Sequence, residues 1–174
     1  MATTGVLVDS SVLRRVVRLR SLIAGPLAIN KAMKHDPVMV NEILEVLDLK
    51  PGSVVVDGTL GLGGHSEAFL GKVSTGGTVL GTDWDETMLA SARERLNPIA
   101  ASLGANLLLK HADFRTISSL LQNLSIKADG CLLDLGLNSA QVDNPERGMS
   151  FRDGGPLDMR MDRTQGETAA AMLN

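Results

Sequence analysis

The stretch from Ser53 to His65, Ser-Val-Val-Val-Asp-Gly-Thr-Leu-Gly-Leu-Gly-Gly-His, constrains the fold of this chain most strongly. Its three valines form a short β-branched run without charge, which predicts a strand buried on both faces. Asp57 ends the run, a glycine-rich loop follows, and residues 66–70 can start a helix. Strand, glycine loop and helix form the first βα unit of a nucleotide-binding sheet, because glycines permit tight turns and let backbone N–H groups approach a ligand.

A second acidic residue is expected at the tip of the next strand, about 20 residues after such a loop, where it binds ribose hydroxyls. The run Thr78–Asp83 supplies both the strand and the acid, and Asp83 follows Gly63 by 20 residues. A glycine loop alone is weak evidence, since most loose matches are ordinary turns. The valine strand before the loop and the acid after it supply the context that the motif requires. Together they predict a site for a nucleoside-containing cofactor.

The rest of the chain alternates between helix and strand patterns. Helices are predicted over 38–48, from 66 through Leu70 to a break at Gly76-Gly77, over 85–103 and over 115–124, and strands over 54–56, 78–82, 106–110 and 129–133. This alternation predicts an α/β fold with a parallel, Rossmann-like sheet covered by helices on both faces. Residues 135–166 predict a long ordered loop with short helical turns, which is either functional or a solvated linker, and residues 166–173 start a further helix.

Residues 1–34 differ in charge from the rest of the chain. They hold six basic residues and one acidic residue, so the remaining residues carry a net charge of −8 within a total of −3. Val12, Val16, Leu19 and Ile23 recur at helical spacing beside arginines. An arginine-rich, amphipathic and nearly acid-free segment is typical of an organelle transit peptide, and the alternative is a disordered or expression-derived leader. A fluorescent reporter fused to residues 1–34 distinguishes these two interpretations.

Composition excludes several classes of protein and site. The single cysteine, Cys131, permits no internal disulfide, and one cysteine with three scattered histidines gives no zinc pattern, so no metal site is predicted. No apolar run approaches the length that spans a bilayer. The acidic body is not that of a general nucleic-acid binder, so any contact with RNA is expected to be local or made by something outside this chain.

Acidic residues follow each predicted strand: Asp57, Asp83, Asp113 next to Phe114, and Asp134. Acidic tips around one crevice disfavour a pyrophosphate, which prefers N–H groups and cations, and favour a ligand with hydroxyls and positive charge. S-adenosylmethionine fits, with Asp83 for the ribose, the glycine loop for the amino acid end and Phe114 as an apolar wall. The alternative, an NAD-dependent oxidoreductase, fits poorly because the loop lacks a clean G-x-G-x-x-G.

Five segments carry more specific motifs. They are His35-x-Pro-Val-Met-Val, Asp57-Gly-Thr-x-Gly-x-Gly-Gly-His65, Asp134-Leu-Gly, Pro145-Glu-Arg-Gly-x-Ser-Phe151 and Gly155-Pro-Leu-Asp-Met-Arg-Met-Asp162. From about His35 to the end, the chain resembles the MraW/RsmH family of S-adenosylmethionine-dependent methyltransferases, which act on N4 of a cytidine in small-subunit ribosomal RNA. The resemblance implies a Rossmann-like class I methyltransferase sheet, with small-subunit ribosomal RNA or the small ribosomal subunit as partner.

The resemblance also implies a set of site residues. Those expected to contact the cofactor are Gly63, Gly64, His65, Asp83, Phe114, Asp134 and Gln141. Asp134 is the best candidate for the catalytic acceptor of the amine hydrogens, and the target base must be splayed out to reach it. The segment Leu-Gly-Leu-Asn-Ser-Ala-Gln141 departs from the usual family pattern Val-Ser-Ser-Pro-Gln at Asn138 and Ala140, which affects the expected shape of the loop.

Family members are nearly twice as long, with a helical insertion and further strands. We therefore expect this chain to correspond to the N-terminal half: a leader over 1–34, a cofactor-binding domain over 35–165 and the start of a truncated helical insertion over 166–174. The family has a mitochondrial branch, so the mitochondrial matrix is the expected location, with the bacterial cytoplasm as alternative. A non-catalytic interaction module is the other functional hypothesis, and methyl transfer to unmodified ribosomal RNA separates it from an enzyme.

Overall fold

The computed structural model describes residues 16–20, 37–151 and 154–174. In these ranges the chain forms a five-stranded sheet with helices on both faces. The strands are β1 (Val16–Arg20), β2 (Val54–Asp57), β3 (Thr78–Asp83), β4 (Asn106–His111) and β5 (Gly130–Leu135). The helices are α1 (Val40–Leu47), α2 (Gly64–Val73), α3 (Glu86–Leu103), α4 (Ile117–Asn123), α5 (Ser139–Val142) and α6 (Ala169–Leu173), with 3-10 turns at Phe114–Thr116 and Pro145–Arg147.

All neighbouring strands are parallel, in the order β1-β5-β2-β3-β4. The chain moves outward from β2 to β3 and β4 and then returns to place β5 on the other side of β2. Strand β2 is therefore the topological switch point, and ligands of such sheets bind beyond the carboxyl ends of the strands at that point. We call the space beyond the carboxyl ends of β2, β3 and β5 the crevice. The predicted Rossmann-like α/β class is confirmed.

Two hydrophobic clusters cover the two faces of the sheet. Val55 belongs to the cluster that α1, α2 and α3 build, whereas Val56 belongs to the cluster that α4 builds. Successive residues of β2 thus point to opposite faces, as a strand buried on both sides requires. On α2, Phe69 and Leu70 are almost completely buried, and each contributes about 1.5–3 kcal/mol through burial. The glycine loop is therefore held at both ends by packed elements.

The predicted element bounds are close to the observed ones. Strands β2 to β5 begin and end within two residues of the predicted positions, and α3 begins after Asp85, whose side chain caps it. Residues 135–166 contain the short helix α5 and the turn Pro145–Arg147, as the prediction of an ordered loop with helical turns anticipated. We call residues 136–151 and 154–168 the loop after β5. None of the helices in the described ranges has the length and apolarity needed to cross a membrane.

The prediction that residues 16–20 lie on a helical stripe is wrong. Val16–Arg20 is a strand that runs parallel to β5, with Leu19 opposite Asp134. The unpaired backbone groups of a sheet edge attract a further strand, and the run Val-Val-Arg-Leu-Arg suits that geometry. In the described residues, β1 therefore covers the edge of β5. The remaining leader residues, 1–15 and 21–34, and His35 of the first motif lie outside the described residues.

Candidate functional site

The glycine loop between β2 and α2 has a backbone shape that requires glycine. Gly63 has φ +82° and precedes the first residue of α2, and a Cβ added there would lie 2.7 Å from Cδ1 of Leu96 on α3. Gly61 has φ +53°. Because Gly63 brings no side-chain cap, the first N–H groups of α2 remain available for a negatively charged group of a ligand.

Asp57 stabilises the glycine loop through hydrogen bonds to its buried carboxylate. Its carboxylate accepts hydrogen bonds from the Ser66 hydroxyl at 2.7 Å and the Thr59 N–H at 3.3 Å, and it is 1% exposed. Burial raises the pKa of Asp57 to about 6, and the bond from Ser66 only partly offsets that rise. Thr59 in turn accepts a hydrogen bond from the Asp134 N–H at 2.7 Å. Asp57 thus links β2, α2 and, through Thr59, β5.

Asp83 lies at the tip of β3, where the spacing predicted it. Its carboxylate accepts hydrogen bonds from the Gly61 N–H at 2.7 Å and the Asp85 N–H at 2.8 Å. Burial raises the pKa of Asp83, although these backbone bonds act against the rise. Each carboxylate oxygen has a second lone pair, and the side chain is half-buried, so Asp83 can also accept hydrogen bonds from a ligand.

Asp134 faces Asp83 across the glycine loop. In the sheet register, Asp57 lies opposite Gly81 on β3 and Leu132 on β5. Asp83 and Asp134 each follow these partners by two residues, so both lie equally far towards the carboxyl ends of their strands. Because β2 lies between β3 and β5, the strands that carry Asp83 and Asp134 are two strand spacings apart, about 10 Å. This width suits a nucleoside-sized ligand. Among the described residues, the Asp134 carboxylate has no hydrogen-bond partner, and the side chain is half-buried. It is therefore free to accept bonds from a ligand.

A cavity of about 490 Å³ opens next to Asp83, beyond the ends of β3 and β4. Its lining residues are Trp84, His111, Ala112, Asp113, Arg115, Thr116 and Gln165. The guanidinium carbon of Arg115 lies 5.7 Å from the centre of the Trp84 ring, which is 40% exposed. Partial burial acts to raise the pKa of Asp113, but the hydrogen bonds and charge of Arg115 outweigh it and the pKa is lowered.

Phe114, the predicted apolar wall, is half-buried and packs against the cluster beneath α4. The aromatic ring that lines the cavity is instead Trp84, which the sequence reasoning missed. Its position directly after Asp83 was the available signal. The contact of Phe114 with a cofactor stays a prediction.

Gly64 and His65 connect α2 to the segment that enters α1. Nε2 of His65 lies 2.9 Å from the Val38 carbonyl oxygen, and its ring stacks on Phe69 with centres 6.5 Å apart. A Cβ added to Gly64 would lie 3.1 Å from Pro37. Both residues thus have packing roles at the start of α2, next to the glycine loop, and their contact with a cofactor stays a prediction.

Gln141 is buried behind the crevice. Its side-chain amide nitrogen donates to Asp85 at 2.9 Å. Its side-chain oxygen accepts from the N–H of Asn138, the N-cap residue of α5, at 3.1 Å. The same Asp85 oxygen accepts from Arg147 at 2.5 Å. In the sequence, Asp85 is only the first residue of the predicted helix 85–103, and Arg147 belongs to a family motif without an assigned role. A contact between two residues 62 positions apart leaves no local pattern in the sequence.

The chain is similar to known proteins over most of its length. The profile of the MraW methylase family matches residues 32–174. A ribosomal RNA small subunit methyltransferase H from Halothermothrix orenii is 41% identical over 143 residues, which cover 82% of this chain and 44% of that protein. The protein of the same name from Thermobifida fusca is 45% identical over 147 residues, covering 82% of this chain and 43% of that protein.

This chain therefore spans about 44% of the length of these relatives. Among solved structures, an S-adenosylmethionine-dependent O-methyltransferase from Thermotoga maritima is similar, with 22% identity and a TM-score of 0.40 over 47% of this chain and 31% of that one.

Proposed function

Since the chain belongs to the MraW methylase family, we propose that its crevice binds S-adenosylmethionine for methyl transfer to N4 of a cytidine in small-subunit ribosomal RNA. The relatives named above are ribosomal RNA small subunit methyltransferases. The observation that carries the proposal is the Asp83 carboxylate, held at the tip of β3 by the Gly61 N–H of the glycine loop. This arrangement places a hydroxyl-binding acceptor beside a loop that a ligand can approach closely.

The residues of the crevice fit the separate parts of this cofactor. The free acceptor sites of Asp83 suit the two ribose hydroxyls, and the cavity next to Trp84 is large enough for a purine ring. The N–H groups at the start of α2 suit the carboxylate of the amino acid end. The Asp134 carboxylate, which has no hydrogen-bond partner among the described residues, suits a neighbouring positive charge.

S-adenosylmethionine supplies an electrophilic methyl group when it is bound. The cytidine N4 amine is a weak nucleophile, because its lone pair is delocalised into the ring. Asp134 then has two tasks: to orient the amine by accepting one of its hydrogens, and to take up the proton that the amine loses. The half-buried position of Asp134 at the end of β5 suits both.

An NAD-dependent oxidoreductase is the weaker candidate. A dinucleotide places its pyrophosphate at the glycine loop, where this chain presents the acidic side chains of Asp83 and Asp134. Neither Asp83 nor Asp134 is paired with a cationic side chain among the described residues. A second anionic group is therefore disfavoured at this point.

Recognition of cytidine is testable without turnover. An ionised Asp134 can only accept hydrogen bonds, so it favours the N4 amine of cytidine over the O4 acceptor of uridine. We expect saturation-transfer NMR, with S-adenosylhomocysteine present, to detect cytidine binding and much weaker uridine binding. Asp134→Asn, whose amide both donates and accepts, should remove most of this preference. Equal binding of the two nucleosides to the wild-type chain would contradict the assignment of the substrate.

A further inference from the structure

Asp85, Gln141 and Arg147 form a buried polar cluster behind the crevice, which we call the Asp85 cluster. Their exposed fractions are 2%, 5% and 6%. One carboxylate oxygen of Asp85 accepts from both the Gln141 amide, at 2.9 Å, and an Arg147 guanidinium nitrogen, at 2.5 Å. A buried ion pair of this kind is costly to break from either side, because the remaining charge loses its partner without gaining water.

On one side, Arg147 closes the loop after β5. The nitrogen that binds Asp85 also donates to the Met161 carbonyl at 2.9 Å, and the Arg147 carbonyl accepts from the Met159 N–H at 3.1 Å. A Cβ added to the next residue, Gly148, would lie 1.9 Å from the Pro156 carbonyl oxygen. Arg147 thus joins two segments of this loop that pass each other in close contact.

On the other side, Asp85 reaches the crevice. Its N–H donates to Asp83 at 2.8 Å, and its second carboxylate oxygen caps α3 by accepting from the Thr87 N–H at 3.0 Å. Asp83 in turn accepts from the Gly61 N–H of the glycine loop. A continuous chain of hydrogen bonds therefore runs from the loop after β5, through Arg147, Asp85 and Asp83, to the glycine loop.

We propose that Arg147 is a positioning residue that acts through Asp85 to hold the Asp83 carboxylate and the glycine loop in place. If the loop after β5 moves away and withdraws Arg147, the Asp85 carboxylate stays buried and unpaired, which costs free energy. The order of this loop is therefore coupled to the order of the glycine loop and Asp83. Binding of a cofactor in the crevice rests on the proposed function. The coupling between the loop after β5 and the glycine loop does not depend on it.

Amide hydrogen exchange of the 174-residue chain, followed by mass spectrometry without ligand, tests the coupling. In Arg147→Met we expect peptides that contain Gly61 and Asp85 to exchange about tenfold faster, because the link to them is cut. Peptides from α4, on the other face of the sheet, should keep their rates. Arg147→Lys keeps the charge but not the fork of donors, so an intermediate rate is expected. Arg93→Met removes an exposed arginine of α3 as the matched control and should change nothing.

The double variant Asp85→Asn/Arg147→Met controls for the possibility that Arg147→Met simply unfolds the protein. Asparagine caps a helix about as well as aspartate, and it leaves no unpaired buried charge. Its glycine loop should still exchange faster than in the wild type. Unchanged exchange of the glycine loop in the folded variants would overturn the proposal, as would an equal acceleration throughout the sheet.

The same samples with S-adenosylhomocysteine separate the two proposals. Binding to the wild-type chain should slow exchange in peptides that contain Met159 and Met161, and the double variant should lose this protection. Binding without such protection would overturn the coupling. Absence of binding to the wild type would overturn the proposed function, while the comparison without ligand still decides the coupling.

Discussion

At the scale of single residues, the three carboxylates at the ends of β2, β3 and β5 differ in what they bind. Asp57 is almost inaccessible and bonded to the hydroxyl of Ser66. Asp83 accepts two backbone N–H groups and keeps acceptor sites towards the crevice. Asp134 has no hydrogen-bond partner for its carboxylate among the described residues. The first stabilises the loop, the second can serve both the loop and a ligand, and the third is available to a ligand.

The buried Asp57 should give stability a measurable pH dependence. Its pKa is about 6 in the folded protein against an ordinary value of 3.8, so the folded state binds this proton more tightly than the unfolded chain. Stability is therefore lost as pH rises from about 4 to 6, by at most about 3 kcal/mol for this group. Asp57→Asn removes the titration, so its free energy of unfolding should rise relative to wild type by about 1–3 kcal/mol between pH 4 and 7.

Urea unfolding at several pH values measures this difference, and Asp143→Asn, at an exposed position, is the control that should follow the wild type. Parallel stability curves for Asp57→Asn and wild type would show that burial of Asp57 does not govern its protonation.

The candidate site residues at strand ends are predictable from the sequence, whereas those that depend on long-range contacts are not. Asp83 and Asp134 follow apolar runs, so the topology of a parallel sheet alone brings them to one edge. The role of Arg147 depends instead on which side chains meet after folding, since Asp85 and Arg147 are 62 positions apart. No local pattern carries that information.

At the scale of elements, the junction of the glycine loop with α2 depends on close packing against α3. We expect Gly63→Ala to destabilise the protein by about 1–3 kcal/mol, because alanine is strained at a left-handed φ and its Cβ meets Leu96. Gly71→Ala is the matched control on the same helix, with open space around its Cβ, and should stabilise by about 0.5–1 kcal/mol. Urea unfolding measures both, and equal effects of the two variants would contradict the packing argument.

Strand β1 shows where element prediction fails. The segment that contains Val16 and Leu19 fits a helical stripe and a strand about equally, since short apolar runs do not distinguish the two periods. The edge of β5 decides between the two structures, because this segment can pair with it as a strand. Val16 lies opposite Cys131 of β5, although these residues are far apart in sequence. By contrast, β2 to β5 were predictable because each uncharged run is bounded by turn residues and has strand length.

At the scale of the whole molecule, the fold brings the acidic strand ends, the glycine loop and the 490 Å³ cavity to the same edge of the sheet. The loop after β5 packs against this edge through the Asp85 cluster, and its residue Gln165 lines the cavity. This arrangement is the basis of the proposal that the crevice binds S-adenosylmethionine, with Asp83 as the acceptor for the ribose hydroxyls.

Isothermal titration calorimetry with S-adenosylhomocysteine measures this binding. We expect the wild-type chain to bind, and Asp83→Ala to weaken binding by about 1–3 kcal/mol, roughly 5- to 150-fold, because charge-assisted hydrogen bonds to the ribose are lost. Asp143→Ala, at an exposed position away from strand ends, should bind like the wild type, and circular dichroism should show all three proteins folded. Tight binding of NAD, with no heat from S-adenosylhomocysteine or S-adenosylmethionine, would overturn the proposed cofactor.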